Sequence, residues 1–243
     1  MPVPNDYFQF QQFRITQGDC AMKVSTDACV LGAALDLAGA TRLLDIGTGT
    51  GLLALMAAQR HPTVAIEAVE IDPAAAAQAA ANAAASPWGP RIRVHPLGLA
   101  AYAATGPAPF SHIVCNPPFF LGALRSPNAA RTTARHAAPD TLTFAELSRF
   151  AADFLAPGGR LTVLLPVPEM ERFSAAAAAA GLHPATRLAL RHRPGGRVLR
   201  HIVAFGRAPG APAEQALAIR TAEDDTVYSA DFRALLAGFY LAP

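Results

Sequence analysis

The sequence predicts an α/β fold: a mainly parallel seven-stranded sheet with a final antiparallel hairpin strand, and helices on both faces. Three observations lead there. Short apolar runs alternate with alanine-rich segments of helical length along most of the 243 residues. The run 42–46 enters a glycine turn, Asp45-Ile46-Gly47-Thr48-Gly49-Thr50-Gly51, as a strand feeding a helix does. A later run, 110–115, leaves through Asn116-Pro117-Pro118-Phe119-Phe120, where prolines remove ladder donors and hold the chain extended.

In chain order, residues 42–46 are the first core strand and 50–60 a helix, TGLLALMAAQR. Residues 64–71 are the next strand. Asp72 can cap the following helix, with Pro73 at its first position. Strands follow at 92–97 and 110–115. A helix over 143–156 is stopped by Pro157-Gly158-Gly159, ahead of a strand at 160–166. A helix over 168–180 ends at Gly181. Runs at 186–192 and 198–206 flank Pro194-Gly195-Gly196 and should pair as antiparallel neighbours. A short strand near 217–220 and a helix near 229–240 follow. No linker divides the chain. The expectation is one domain over 1–243, with an N-terminal extension (1–40) on a core (41–243).

Composition narrows the function classes. Cys20, Cys29 and Cys115 have neither the paired spacing of a zinc site nor an even count for a disulfide framework. Reduced thiols in a cytoplasmic protein are expected, and no metal centre. No apolar run approaches the ~20 residues of a membrane span, and the first residues lack the basic and apolar regions of a signal peptide. The net charge of +2 is unevenly spread. Residues 120–207 carry 12 basic and 5 acidic side chains, whereas residues 1–119 carry 6 and 8. A basic segment directly after NPPFF points to an anionic partner at that edge, against the plainer reading of a solvated arginine face.

The glycine turn has the spacing D-x-G-x-G-x-G. A dinucleotide fingerprint spaces its glycines G-x-G-x-x-G, so that pyrophosphate meets a helix N-terminus. An acid two residues before the first glycine would repel pyrophosphate. It suits a cation such as the ammonium or sulfonium of S-adenosylmethionine. Glu70 ends the next strand, where a carboxylate can accept both ribose hydroxyls. At NPPFF, the Asn116 side-chain oxygen and the Pro117 carbonyl offer two fixed acceptors, and Phe119 a face for a flat base. Such a site fits a planar amino group, whose lone pair two acceptors can localise and aim.

These motifs resemble the class I S-adenosylmethionine-dependent amino-methyltransferases, which act on adenine N6, cytosine N4 or glutamine amides. The segments CAMKVSTDACVLGA (20–33), GLLALMAAQR (51–60), AVEIDPAAAAQAAANAAASPW (68–88) and VYSADFRALLAGFYL (227–241) resemble, more narrowly, the bacterial tRNA adenine-N6 methyltransferases. Those enzymes modify the adenine 3′ to the anticodon of a valine tRNA. The resemblance runs nearly end to end. It implies a Rossmann-like fold and a cofactor pocket closed by the extension through Lys23, Thr26 and Asp27. Asp45, Gly47, Gly49, Gly51, Glu70, Ile71 and Gly98 complete that pocket. It also implies a tRNA anticodon loop held by Arg125, Arg131, Arg135 and Arg197, with Arg191, Arg193 and Arg200 as further candidates. No membrane partner is implied, and a monomer is favoured.

One position departs from the family. Gly98 stands where an acid that contacts the cofactor adenine is expected, so relatively weak cofactor affinity follows. Two competing readings remain at this level: N-methylation of a protein glutamine amide, and a non-catalytic RNA-binding protein with a degenerate pocket. The basic segment after NPPFF favours RNA over protein, and the intact Asp45, Glu70 and Asn116 favour an enzyme.

Overall fold

The computed structural model describes residues 6–18, 20, 22–117 and 142–241. Its eight-stranded sheet is built from β3 (Arg42–Ile46), β4 (Ala65–Val69), β5 (Ile92–His95), β6 (Phe110–Cys115), β7 (Leu155–Leu165), β8 (His183–Arg191), β9 (Val198–Gly206) and β10 (Ala213–Ala218). Their order across the sheet is β10-β8-β9-β7-β6-β3-β4-β5. Strands β5, β4, β3, β6 and β7 are mutually parallel, and β9 enters antiparallel between β7 and β8. The chain therefore moves outward from β3 to β5 on one side and resumes at β6 on the other. That reversal opens a crevice at the carboxyl ends of β3 and β6, where α/β sheets bind ligands.

Strand residues alternate between two cores, as the two-residue strand period requires. Leu43, Val114 and Leu164 face one, with Leu31, Leu55 and Leu236. Leu44, Cys115 and Leu165 face the other, with Tyr102, Phe150 and Phe173. The first core is covered by α1 (Thr26–Ala34), α2 (Leu52–Arg60) and α7 (Ala230–Leu236), the second by α4 (Leu99–Ala104), α5 (Phe144–Phe154) and α6 (Val167–Ala179). Helix α3 (Pro73–Ala84) begins as its sequence indicates: Asp72 accepts the Ala74 and Ala75 amides, with Pro73 in the first turn. Helix α5 carries a full capping box between Thr143 and Glu146.

Three features depart from the expectations. The sheet has an eighth strand beyond the expected seven, because β10 adds in parallel to the edge of β8, with Arg187 paired to Glu214 at 2.8 Å. That strand covers 213–218 rather than 217–220; Glu214 and Gln215 near its start are polar and pair through backbone, leaving no apolar run to read. The stop expected at Pro157-Gly158-Gly159 instead lies inside β7, which starts at Leu155 directly after α5. Gly158 takes φ +75° there, and the β6–β7 register shifts between Phe110 and His112.

The N-terminal segment forms a small antiparallel ribbon, β1 (Tyr7–Gln9) and β2 (Arg14–Thr16), with Phe8 opposite Ile15. Its rings join the first core: Phe10 stacks on Phe13 at 4.5 Å, and Phe13 meets the edge of Trp88 at 5.8 Å. The residues just after α7 are strapped to this ribbon. Gln11 donates its backbone amide to the Phe239 carbonyl at 2.8 Å and its side chain to those of Ala237 and Tyr240. Among the described residues, no helix is long and apolar enough to cross a membrane.

Candidate active site

The glycine turn closes over the end of β3. Gly47, Gly49 and Gly51 all sit at positive φ (68°, 55° and 83°), so glycine is required at each. The Gly47 and Thr48 amides donate to the Val69 carbonyl at 2.9 and 3.1 Å, anchoring the turn to β4. Gly51 then starts α2.

Asp45 lies wholly buried beneath this turn. Its Oδ2 accepts the Thr48 hydroxyl at 2.6 Å and the Ala54 amide at 3.2 Å. Its Oδ1 has no hydrogen-bond partner among the described residues. Burial pushes this carboxyl up to about 7; the Thr48 and Ala54 hydrogen bonds pull the other way, and the Glu70 charge adds to the rise. The neighbouring Cys115 thiol is raised too, by burial first and then by the Asp45 and Glu70 charges. Two carboxylates thus converge on one crevice.

Glu70, just beyond β4, turns its carboxylate back to the loop. Oε2 accepts the Gly49 amide at 2.9 Å and Oε1 the Asp72 amide at 3.0 Å. Asn116 follows β6, whose Cys115 pairs with Ile46 of β3, so the amide stands beside the end of the strand that bears Asp45. Its Oδ1 is buried with no partner among the described residues, and Pro117 after it is buried. A buried oxygen without a donor costs free energy that a ligand donor or water can recover. Asp45 and Asn116 each present one.

A cavity of about 670 Å³ runs along the same strand ends. It brings together four of the residues expected at the cofactor, Gly47, Glu70, Ile71 and Gly98, with apolar Leu97 and Leu99. Ile71 is half exposed, an apolar wall without a protein partner over much of its surface. Gly98 has ordinary extended backbone (φ −69°) and begins α4 with no side-chain cap. The far wall comes from α5, through Arg149, Phe150 and Asp153. Sequence reasoning missed these three; their only signal was the four-residue spacing of Arg149 and Asp153 along a helix.

Other expected site residues are engaged elsewhere. The Lys23 ammonium donates to the Gln17 carbonyl, Thr26 bonds the Tyr240 hydroxyl, and Asp27 pairs with Arg200 at 3.3 Å. Burial raises the Asp27 carboxyl, with Arg200 opposing. None of the three lines the cavity. The late hairpin is less basic than its sequence: Arg193 pairs with Asp225, and Arg191 donates to the Gly196 carbonyl. Arg197 is exposed and makes no ion pair among the described residues. Phe119, Arg125, Arg131 and Arg135 lie outside the described residues.

Comparison with known proteins places the chain in a family and a fold. The family model described as methyltransferase small domain matches residues 20–166. A protein of Pseudoalteromonas translucida is 41% identical over 234 residues, covering 96% of this chain and 98% of its own. One of Edwardsiella ictaluri is 40% identical over 242 residues, covering 99% and 96%. Both are named tRNA1(Val) (adenine(37)-N6)-methyltransferase. Among solved structures, an Agrobacterium tumefaciens protein described as a predicted O-methyltransferase superposes with TM-score 0.63 at 22% identity, covering 87% of this chain and 96% of that one. The ribosomal protein L11 methylase of Lactobacillus delbrueckii gives 0.55 at 16% identity, covering 79% and 83%. At such identities these two speak for the fold alone.

Proposed function

This chain belongs to the methyltransferase small domain family and, within it, to the tRNA1(Val) (adenine(37)-N6)-methyltransferases; from that premise we propose that it methylates N6 of the adenine 3′ to the anticodon in a valine tRNA, with S-adenosylmethionine as methyl donor. The observation that carries the reading is the buried Asn116 Oδ1, without a partner among the described residues, at the strand end beside the glycine turn.

The residues present fit that donor. Asp45 Oδ1, buried and without a partner among the described residues, suits its cationic end; Glu70 suits the ribose; Ile71, Leu97 and Leu99 form an apolar wall for adenine. When bound, the donor supplies a methyl group on a positively charged sulfur, open to attack by an amine nitrogen.

The protein's own part is orientation. An exocyclic amino group gives its lone pair to the ring and is a poor nucleophile. Asn116 Oδ1 and the Pro117 carbonyl accept its two hydrogens and draw the nitrogen towards tetrahedral geometry. Pro118 has no N–H of its own, which adds stiffness after Pro117 without adding a competing donor. Asn116 does not act as a base near neutral pH. The proton leaves after methyl transfer, when the nitrogen is cationic and acidic. Arg197 and the basic segment 120–207 supply positive charge for the anticodon stem-loop phosphates.

The test is tritium transfer from labelled S-adenosylmethionine to total tRNA lacking this modification, wild type beside Asn116→Ala. Label recovered as N6-methyladenosine in a valine tRNA, with wild type only, is the expected result. Label in protein amides and none in tRNA would sink the substrate assignment.

A further inference from the structure

One buried side chain outside the catalytic constellation ties two elements, α3 and β2, to the cofactor turn. Asn82 lies on the inner face of α3 and is 4% exposed. Its Oδ1 accepts the Thr16 amide at 3.0 Å, and its Nδ2 donates to the Thr16 carbonyl at 2.8 Å and the Thr50 carbonyl at 2.9 Å. The side-chain amide thus pairs with Thr16 as a neighbouring strand residue would, and spends its second donor on the glycine turn. Thr50 is itself buried and sits between Gly49, whose amide holds Glu70, and Gly51, which starts α2. One turn earlier on α3, Ala79 packs within 3.5 Å of where a Gly51 Cβ would lie. The chain of bonds continues past Thr16. Gln17 accepts the Lys23 ammonium through its carbonyl and the Val24 amide through its side chain, at 2.8 Å for the latter. Ser25 then caps α1.

We infer that Asn82 is a positioning residue for cofactor binding: it fixes the Thr50 carbonyl, and with it the pose of the glycine turn, against Thr16 at the end of β2. The inference rests on the assignment of this turn to S-adenosylmethionine. Every hydrogen bond of the Asn82 amide goes to backbone, so a replacement of the same shape with the wrong donors acts on the turn directly. Asn82→Asp keeps the acceptor for the Thr16 amide and turns carboxylate oxygen towards two carbonyl oxygens. Lys23, Thr26 and Asp27, which do not line the cavity, then act on it indirectly, through the segment that Asn82 fastens.

The experiment measures S-adenosylmethionine Kd by calorimetry, kcat at saturating cofactor, and Tm, for wild type, Asn82→Asp, Asn82→Ala and Ala77→Gly. Ala77 is exposed in the middle of the same helix, so its glycine variant lowers Tm through helix propensity alone. Expected is a cofactor Kd raised by about ten-fold or more in both Asn82 variants, with kcat at saturation within about three-fold of wild type. Ala77→Gly should lower Tm and leave Kd unchanged. If the Asn82 variants lose Tm but keep Kd within about two-fold, Asn82 is only a packing residue and the inference falls. If the aspartate variant does not fold, the alanine variant, which places no charge against the carbonyls, decides. Failure of wild type to bind S-adenosylmethionine would overturn the site assignment itself, a different outcome from unchanged variants.

Discussion

Glu70 Oε2 accepts the Gly49 amide at 2.9 Å, so the carboxylate at the end of one strand ties down the middle glycine of the turn that follows its neighbour. The residue read from sequence as a ribose ligand is therefore also part of the turn's own construction. Glu70→Gln retains one oxygen for that amide, and Glu70→Ala retains none. Cofactor affinity should fall in the order wild type, glutamine, alanine, with alanine weaker by about 100-fold, since a structural and a ligand hydrogen bond go together. Equal Kd values for the two variants by calorimetry would confine Glu70 to the ribose.

Asn116→Ala should separate binding from chemistry. Removing a preorganised acceptor that acts on the developing charge costs kcat about 10²–10³-fold. Cofactor Kd should stay within about three-fold, because Asp45, Glu70 and the apolar wall are untouched. Single-turnover methylation of tRNA beside calorimetry checks both halves.

Gly98→Asp should tighten cofactor binding. The backbone there suits any residue, and a Cβ would meet only the mobile tip of Ile71, at 3.2 Å. The new carboxylate would cap the bare start of α4 and offer the cofactor adenine a charged acceptor. Kd should fall by about ten-fold, with Tm rising slightly. An unchanged Kd would mean that Gly98 is not at the adenine.

Asp45 should make cofactor binding release a proton. Its carboxyl rises from 3.8 to about 7 in the ligand-free fold, so between those values the fold holds a proton that the unfolded chain has shed. This contribution to stability is full below the unfolded value and is lost as pH rises through about 7. A cation beside Asp45 favours the ionised form and reverses that shift. Calorimetry at pH 6.5 in buffers of different ionisation enthalpy should detect release of up to about one proton per cofactor, absent in Asp45→Asn. Buffer-independent heats for wild type would contradict it.

Arg197→Ala should weaken tRNA binding and reduce the salt slope by about one. Arg193→Ala should do less, because that guanidinium is already held by Asp225. Binding titrations at several salt concentrations distinguish the two; equal slopes for wild type and Arg197→Ala would remove Arg197 from the RNA-binding surface.

The central sheet was legible because its strands are apolar runs closed by glycine or proline. The structure begins and ends β3, β6 and β9 at the expected residues. What escaped had no period to show. Helix α1 is apolar on nearly every side, so no amphipathic stripe marks it. Strands β1 and β2 are three residues each, and β10 opens as Ala213-Glu214-Gln215, with no apolar run. At the site, Asp45, Glu70 and Asn116 could be placed because strand ends locate them. Asn82 could not, since it contacts Thr16 and Thr50 from 66 and 32 residues away. Its side chain lies on a helix face where the sequence shows only Gln78 and Asn82 among alanines.

The strap from Gln11 to the carbonyls of Ala237 and Tyr240 spans 226 and 229 residues of sequence. During synthesis the ribbon around it leaves the ribosome long before those partners exist. Until they emerge, Phe8 and Phe10 lack the Tyr240 ring that packs on both, and Cys29 lacks the hydroxyl that meets it. Strands β3 to β6 and the glycine turn are made before β7 to β10, and the segment fastened over the first core is completed only once residues 237–240 have followed them. A nascent chain of this protein is thus a different object from the finished one: it has a sheet before it has a sealed edge.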